Sequence, residues 1–331
     1  MDMRSPRQLS DGEVQALNDQ ASALVRRGLE ILDDGAAQAA ERALACFDRA
    51  VALRLQLPLE RSPWLQFDLG GALLNRADVL LGLGGDIRLH LALQTYAAAV
   101  TWLEDLPLEL DVKFPARLAV AYHNRGVALR ARGAASLGAS LQDFAAAITL
   151  LESLDDDGAG ADRRRYLATA LVGLADARAA SASPDASRQA IAAAHRAVLV
   201  LDDLEQHDEA AAAVGLRARH VCCRAAAGCL MADLAAPAAP TDDVHAATDA
   251  VDDGLALMRQ WERRGTTAFR ALGCDLFRFG LRIYARYQPQ FLEEFVREHV
   301  DGADGVLGYM AAPDMVEAVA EARRMTPKET T

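Results

Sequence analysis

The sequence is short of lysine, of aromatic residues and of strand-like segments. Of the 35 basic residues, only Lys113 and Lys328 are lysine, and the arginine excess beside abundant alanine indicates a GC-rich, bacterial genome. Aromatic residues make up 5% of the chain although 52% of it is hydrophobic, so alanine and leucine supply most apolar positions. Such a composition favours closely packed helices. Because no segment alternates apolar and polar residues as a half-buried strand does, the sequence predicts an all-α protein.

Targeting and membrane-spanning segments are also not recognisable. The first 12 residues are polar and lack the apolar core of a signal peptide. No apolar run approaches the roughly 18 residues that a membrane span requires. Five cysteines, an odd number, agree with a reducing compartment. We therefore expect a cytoplasmic protein that does not enter a membrane.

The charge balance is acidic, with a formal net charge of −12. Phosphate backbones would be repelled by this excess, so we do not expect a nucleic-acid partner. A solvated helix face is the favoured interpretation of the clustered arginines, and a local basic patch is the alternative. These arginines are Arg117, Arg125, Arg130, Arg132 and Arg163 to Arg165.

The chain repeats itself at an interval of 49 residues. The sequence Leu-Pro-Leu-Glu at 57–60 recurs at 106–109, and Asn-Arg at 75–76 recurs at 124–125. Within each repeat, apolar residues recur at helical spacing on both sides of a glycine-rich break, which predicts a helix, a turn and a second helix. A fixed period of this kind is typical of stacked supersecondary units.

An aromatic residue between two small residues marks the second helix of the first three units. These residues are Phe47, Tyr96 and Phe144, and each has alanine or serine four positions before it and alanine three positions after it. Small neighbours let two helices approach closely while the ring fills the gap between them. We therefore expect all three rings to be buried between adjacent helices.

The sequence from 122 to 129, Tyr-His-Asn-Arg-Gly-Val-Ala-Leu, is followed by Gly133 and later by Phe144 and Ala147. This arrangement resembles a tetratricopeptide (TPR) repeat. Two earlier segments carry the same pattern and two later ones carry weaker versions of it. A sixth pair keeps only the helix-turn-helix outline, so the resemblance covers most of residues 20 to 300. It implies a right-handed α-solenoid of about six TPR-like helix pairs.

The repeats are longer than ordinary TPR units of about 34 residues. We place about 3 extra residues in the turn inside each pair and the rest in longer helices and linkers. HEAT-type repeats, whose period overlaps this length, are the alternative architecture. The expected organisation is a flexible segment at 1–19, one repeat array at 20–260, a capping helix pair at 261–312, and a final helix with a frayed tail at 313–331.

Half of the aromatic residues fall near the C-terminus. An array's last pair must close the core with nothing stacked beyond it, so we expect these rings to be buried in a cap and the protein to be a monomer. A homodimer formed through this section is the alternative. The nine rings are Trp261, Phe269, Phe277, Phe279, Tyr284, Tyr287, Phe291, Phe295 and Tyr309.

Candidate chemistry is sparse. His220 lies near Cys222, Cys223 and Cys229, but their spacing lacks the paired Cys-x2-Cys or His-x3-His pattern of a zinc site. Buried cysteines acting as small apolar residues are the favoured interpretation. With no catalytic motif either, we expect neither an enzyme nor a bound metal or cofactor.

The TPR resemblance implies a protein-protein interaction scaffold that holds a peptide or helix in its concave groove. Some TPR co-chaperones clamp a carboxylate with lysines, and here Val25, Leu29, Val120 and Thr169 stand where charged partners would be needed, so no such clamp is expected. His123 and Arg130 should be exposed. The alternatives are a peptide or small-molecule sensor and, less favoured, an enzyme with a site near the C-terminal section. The predicted groove residues are Leu74, Asp78, Leu81, His123, Val127, Arg130, Val172 and Asp176.

Overall fold

The chain folds entirely into helices over the residues that the computed structural model describes. These residues are 9–154, 160–181, 183–232 and 241–301, with positions 320 and 324. Within them there are twelve α-helices and no β-strand. The helices are α1 (Asp11–Asp33), α2 (Ala39–Arg54), α3 (Pro63–Leu83), α4 (Asp86–Glu104), α5 (Lys113–Ala131), α6 (Leu137–Ser153), α7 (Gly160–Ala179), α8 (Pro184–Leu201), α9 (Glu209–Ala232), α10 (Thr241–Arg263), α11 (Arg270–Tyr287) and α12 (Pro289–Val296).

The helices form six consecutive pairs, as in an α-solenoid. In both halves of the chain, a helix packs on its partner within the pair and on its neighbours in the adjoining pair. Short 3-10 segments, Leu59–Arg61, Ala134–Ser136 and Asp202–Gln206, connect some of them, and a π-helical turn, Arg297–Asp301, follows α12. The predicted all-α fold of six helix pairs is therefore confirmed.

The array is divided into two compact units. Unit 1, Met1–Asp155, contains α1 to α6, and unit 2, Asp156–Thr331, contains α7 to α12. The sequence predicted one array followed by a capping helix pair from residue 261. Residue 261 lies inside α10, and α11 packs on both α9 and α10, so the sixth pair belongs to unit 2. The predicted tail at 313–331 lies outside the described residues except for 320 and 324.

The first helix begins earlier than predicted. Residues 11–19 belong to α1, although a flexible segment was expected up to residue 19. Ser10 accepts a hydrogen bond from the backbone of Glu13, and the Glu13 side chain accepts one from the Ser10 backbone. This reciprocal capping box satisfies two of the amide donors that a helix start leaves open, and the Ser-x-x-Glu spacing was readable in the sequence.

The extra length of the repeats lies in the helices and linkers. In unit 1 the α-helices are 16 to 23 residues long, whereas only Gly84 and Gly85 separate α3 from α4. Both glycines have a positive φ, 70° and 85°, which a residue with a side chain adopts only with strain. The prediction of longer helices is confirmed, but this pair has no lengthened turn.

The three marker rings of unit 1 are completely buried, as predicted. Phe47, Tyr96 and Phe144 each have a relative exposure of 0%. The ring of Phe47 lies so close to Gly28 that a Cβ there would stand 2.6 Å from a ring carbon, and Phe144 packs in the same way on Gly126, at 3.1 Å. Each glycine therefore forms a notch that a ring occupies, and the contact is closer at Gly28 than at Gly126.

The C-terminal rings of unit 2 are buried unequally. Phe277 and Phe295 stack with their centroids 5.4 Å apart, and Tyr284 stacks on Phe295 at 4.7 Å. Phe279 and Tyr287 are half-buried against the fifth pair, as part of a cluster with Ala226, Val244, Ala247 and Ile283. Phe291, in contrast, is 47% exposed. The expectation that the cap buries all its rings is therefore wrong for Phe291.

Candidate functional site

A cavity of about 370 Å³ opens in unit 1 between α1, α2 and α3. We call it the first cavity, and apolar side chains supply most of its walls. Its polar groups are the amide of Asn75 and the carboxylate of Asp78, which lie on one face of α3. The apolar lining that matters below is Leu29, Leu32, Val79 and Gly82.

The first cavity exists because the repeat is imperfect. In the next unit, Asn124 donates a hydrogen bond of 2.9 Å to Asp78 on the preceding first helix. One period earlier the equivalent asparagine is Asn75, and the equivalent of Asp78 is Leu29, which cannot accept a hydrogen bond. No hydrogen bond to another described residue involves the Asn75 side chain. The pairing that closes the space between α3 and α5 is therefore missing between α1 and α3.

Asp78 is held in place from one side and remains open on the other. Its Oδ1 accepts hydrogen bonds from the Tyr96 hydroxyl, at 2.5 Å, and from the Asn124 amide. No described residue donates to Oδ2. Because the carboxylate stands among many protein atoms, burial raises its pKa, which the two hydrogen bonds oppose. Asp78 nevertheless keeps contact with solvent through the cavity, so a ligand can reach it.

The arginines of the repeated Asn-Arg sequence fix the orientation of their helices. Arg76 donates to Asp48 and to Thr95, both at 2.6 Å. Arg125 makes a bidentate pair with Asp143, at 2.8 and 2.7 Å. Thr95 and Asp143 directly precede the rings of Tyr96 and Phe144. Each arginine therefore ties a first helix to the second helix that carries the marker ring.

The predicted groove residues of α3 are displaced by about one position from the observed face. Asp78 lines the first cavity, but Leu74 is only 6% exposed and belongs to the core, so it has almost no surface to offer a partner. Leu81 is half-buried and packs against the same core. The face that opens into the cavity is instead 75, 78, 79 and 82, which has the spacing of one helix stripe.

The remaining predicted groove residues do not line this cavity. His123, Val127 and Arg130 on α5 are half-buried, contrary to the expectation that His123 and Arg130 are exposed. The His123 ring lies 5.4 Å from that of Phe144, which accounts for its partial burial. In unit 2, Val172 is buried and Asp176 forms an ion pair with Arg224. Asn75, Val79 and Gly82 line the first cavity and were not among the predicted groove residues.

The other candidate sites have structural roles where they are described. Cys222 and Cys223 are buried, and burial raises the pKa of the Cys223 thiol well above its usual range, as expected of an inert apolar cysteine. The side chain of Cys229 lies outside the described residues. Among the clustered arginines, Arg132 bonds to Ser136 and Arg165 to two carboxylates. In the part of the chain that is described, no group of three or more His, Cys, Asp or Glu side chains is arranged to hold a metal ion.

One described segment has the length and composition of a membrane span. Residues Ala134–Ser153, with a mean hydropathy of 1.3, meet that criterion. Most of this segment is α6, which packs on α5 through buried residues that include Phe144 and Leu151. Core helices of water-soluble proteins meet the same criterion, so the segment does not assign a location.

No protein-family model matches this chain, and a comparison with curated proteins also finds no match. The likeness to TPR repeats therefore rests on the residues quoted above and on the helix pairs.

Proposed function

We propose that the protein is a non-enzymatic, TPR-like adaptor of the cytoplasm that binds an apolar segment of a partner protein in the first cavity. The observation that carries the proposal is the combination of apolar walls with two polar groups on one face of α3. These are the Asn75 amide, which has no hydrogen-bond partner among the described residues, and an accessible carboxylate oxygen of Asp78. A peptide offers the matching groups, because an apolar side chain can occupy the space between Leu29 and Val79 while a backbone or basic N–H donates to Asp78.

The sharpest test fills the cavity without disturbing the core. Gly82 lies near the end of α3, and a Cβ added there meets no atom within 4 Å. The substitution Gly82→Leu should therefore occupy the cavity while improving the intrinsic helix propensity by about 1 kcal/mol. We expect capture of partners from the native host's lysate to be lost and the melting temperature to be unchanged or higher.

Gly138 provides a matched control. It lies near the start of α6, its Cβ position is equally open, and it does not line the first cavity. Gly138→Leu should therefore keep partner capture. If Gly82→Leu and the control both capture the same partners as the unmodified protein, the binding surface lies elsewhere and the proposal fails.

The polar half of the site is tested by Asn75→Ala. This change should weaken partner capture without destabilising the fold, because no described residue loses a hydrogen bond. Asn124→Ala is the comparison, since it removes a bond to Asp78 that holds α5 against α3 and should mainly lower stability, by about 1 kcal/mol.

A further inference from the structure

A second and larger cavity, of about 710 Å³, lies within unit 2. Helices α8 and α10 form its two walls and α9 forms its floor. It therefore lies between the second helices of two successive pairs, whereas the first cavity opens on first helices. Its volume is in the range of small-molecule sites, about 300–1,000 Å³.

The wall formed by α10 is acidic. Asp242, Asp249, Asp252 and Asp253 all line the cavity and follow one stripe of the helix. With a rise of about 1.5 Å per residue, Asp242 and Asp249 are about 10 Å apart along the axis, and Asp249 and Asp253 about 6 Å. The carboxylates thus form a row along the cavity.

Most of this negative charge is not compensated inside the protein. Among the described residues, Asp242, Asp249 and Asp253 take part in no hydrogen bond or ion pair, and Asp252 accepts only the hydroxyl of Tyr284, at 2.7 Å. Burial raises the pKa of Asp252, and the charges of Glu298, Asp249 and Asp253 add to this effect. Within the described part of unit 2, the row therefore lacks a cationic partner.

The two arginines of the cavity do not supply that partner. Arg219, on the floor, is committed to a bidentate pair with Glu205, at 2.9 and 2.8 Å, in which both side chains are buried. Arg188, at the edge, pairs with Asp185 on its own helix, at 3.3 Å. His195 and His245 also line the cavity, and both are exposed.

The opposite wall is mainly apolar, with Arg188 and His195 as its polar residues. Helix α8 contributes Ile191, Val198 and Leu199, and Leu199 is 64% exposed although it is a large aliphatic residue. An inorganic cation would gain no binding energy from an apolar wall, because a strongly hydrated ion such as Mg²⁺ retains much of its water. An organic cation with a hydrocarbon body would use both walls at once.

We propose that the second cavity binds a linear aliphatic polyamine, with its ammonium groups on the carboxylates of α10 and its methylene chain against α8. Nitrogen atoms joined by four methylene groups are about 6 Å apart when extended, which matches the axial spacing of Asp249 and Asp253. The acidic protein also attracts such polycations over longer distances. This site is independent of the partner-binding function proposed above.

Spermidine is the probe, and calorimetric titration of the full chain is the measurement. The double change Asp249→Asn and Asp253→Asn keeps the size of both side chains and should weaken binding about tenfold, since each exposed ion pair contributes modestly. Asp33→Asn with Asp34→Asn is the matched control, because it removes the same charge from exposed positions in unit 1. The control should bind spermidine as the unmodified protein does. Unchanged helical circular dichroism and melting temperature establish that both variants fold.

The apolar wall is tested separately. Leu199→Ala should weaken spermidine binding several-fold, whereas Leu55→Ala, at a leucine that is 56% exposed in unit 1, should not. Ethylenediamine, whose hydrocarbon body is short, should bind more weakly than spermidine. Equal affinities of the two acidic double variants, or displacement of spermidine by Mg²⁺ at equal ionic strength, would overturn the proposal in favour of non-specific charge attraction. Binding of a basic amphipathic helical peptide without binding of spermidine would overturn it in favour of a partner protein.

Discussion

Units 1 and 2 fill equivalent spaces with different side chains. In unit 1 the second helices carry Phe47, Tyr96 and Phe144, and two of these rings occupy glycine notches on the facing helix. In unit 2 the matching positions are Ala194 and Val251, which are also fully buried but much smaller. The same position of the repeat therefore holds a large buried ring in unit 1 and a small buried side chain in unit 2.

Other groups fill the space in unit 2. The side chains of Leu276 and Arg219 lie at Gly254, where an added Cβ would come within 2.7 and 3.3 Å of them. Phe295 and Val251 close on Gly280 in the same manner. Glycine notches thus persist in both units, but in unit 2 the residues that occupy them come from several helices and include a charged one. The repeat can therefore be recognised from the sequence only where the residue that fills the notch occupies the same position in each repeat.

The largest expected effect is in unit 1, where Tyr96→Ala removes a fully buried ring and its hydrogen bond to Asp78. We expect a loss of about 5 kcal/mol in the free energy of unfolding, the upper end for an aromatic-to-alanine cavity. Val251→Ala, at the equivalent position of unit 2, removes two methyl groups and should cost clearly less. Urea unfolding followed by circular dichroism measures both. Equal losses would mean that the ring is not the anchor of its unit.

The next largest effect on stability concerns buried arginines. Among the described residues, each unit has one. Arg219 is 6% exposed and pairs with buried Glu205, whereas Arg54 is 5% exposed and bonds to the backbone carbonyl of Asp68 and to Ser22. Arg219→Met should cost about 3–5 kcal/mol, because it leaves the Glu205 carboxylate buried without a partner. Arg54→Met should cost less, about 1–2 kcal/mol, because its other acceptors are neutral and its ion pair with Asp68, at 3.9 Å, is long and involves a carboxylate that is one-third exposed.

The double change Arg219→Met with Glu205→Leu separates the two explanations. If the cost of the single change comes from a stranded charge, the double variant should recover most of the lost stability. A double variant as unstable as the single one would instead show that the pair is needed for the shape of this part of unit 2.

A smaller, pH-dependent effect is confined to unit 2. Burial, with a contribution from Arg259, lowers the pKa of His299 to about 4, and Glu298 opposes this shift. The unfolded chain, with a histidine pKa of about 6.5, therefore binds the proton first as the pH falls. Stability from this group is complete above about pH 6.5 and decreases by about 3 kcal/mol down to about pH 4.

His299→Leu isolates this contribution from the other titrating groups. The variant should lose less stability than the unmodified protein between pH 6.5 and 4, and the difference between the two curves should be flat above pH 6.5. Parallel curves over the whole range would contradict the lowered pKa. Unit 1 offers no comparable buried histidine among the residues described.

The fold was largely predictable from the sequence and the candidate sites only partly so. The helix pairs and the burial of Phe47, Tyr96 and Phe144 follow from local spacing, which a repeat makes visible several times. The early start of α1 was also readable, from Ser10 and Glu13. The division into two units was not readable, because it depends on contacts between distant parts of the chain.

The first cavity depends on a departure from the repeat. Comparing Leu29 with Asp78 one period later would have located it, but only with the knowledge that Asn124 bonds to Asp78, which is a tertiary contact. Leu74 was predicted to line the groove, whereas Asn75 lines the cavity. These two positions differ by a rotation of about 100° around the helix, which an apolar pattern does not resolve when the helix is buried on most sides. The ion pair of Arg219 and Glu205 joins residues that no sequence pattern connects.

The smallest expected effect concerns Phe291 at the end of unit 2. Phe295 is buried against Phe277 and Tyr284, so Phe295→Asp would damage the core rather than a subunit interface. Among the described C-terminal rings, Phe291 is the exposed one, at 47%, and Tyr309 lies outside the described residues. A single exposed ring is ordinary for a monomer, and surface substitutions of this kind change stability by at most about 0.5 kcal/mol.

We therefore expect light scattering at micromolar concentration to give a mass near 35.5 kDa for both the unmodified protein and Phe291→Asp. A dimer that Phe291→Asp converts into a folded monomer would instead identify this ring as the centre of a subunit interface, and would make the C-terminal rings of unit 2, unlike the marker rings of unit 1, part of an assembly surface.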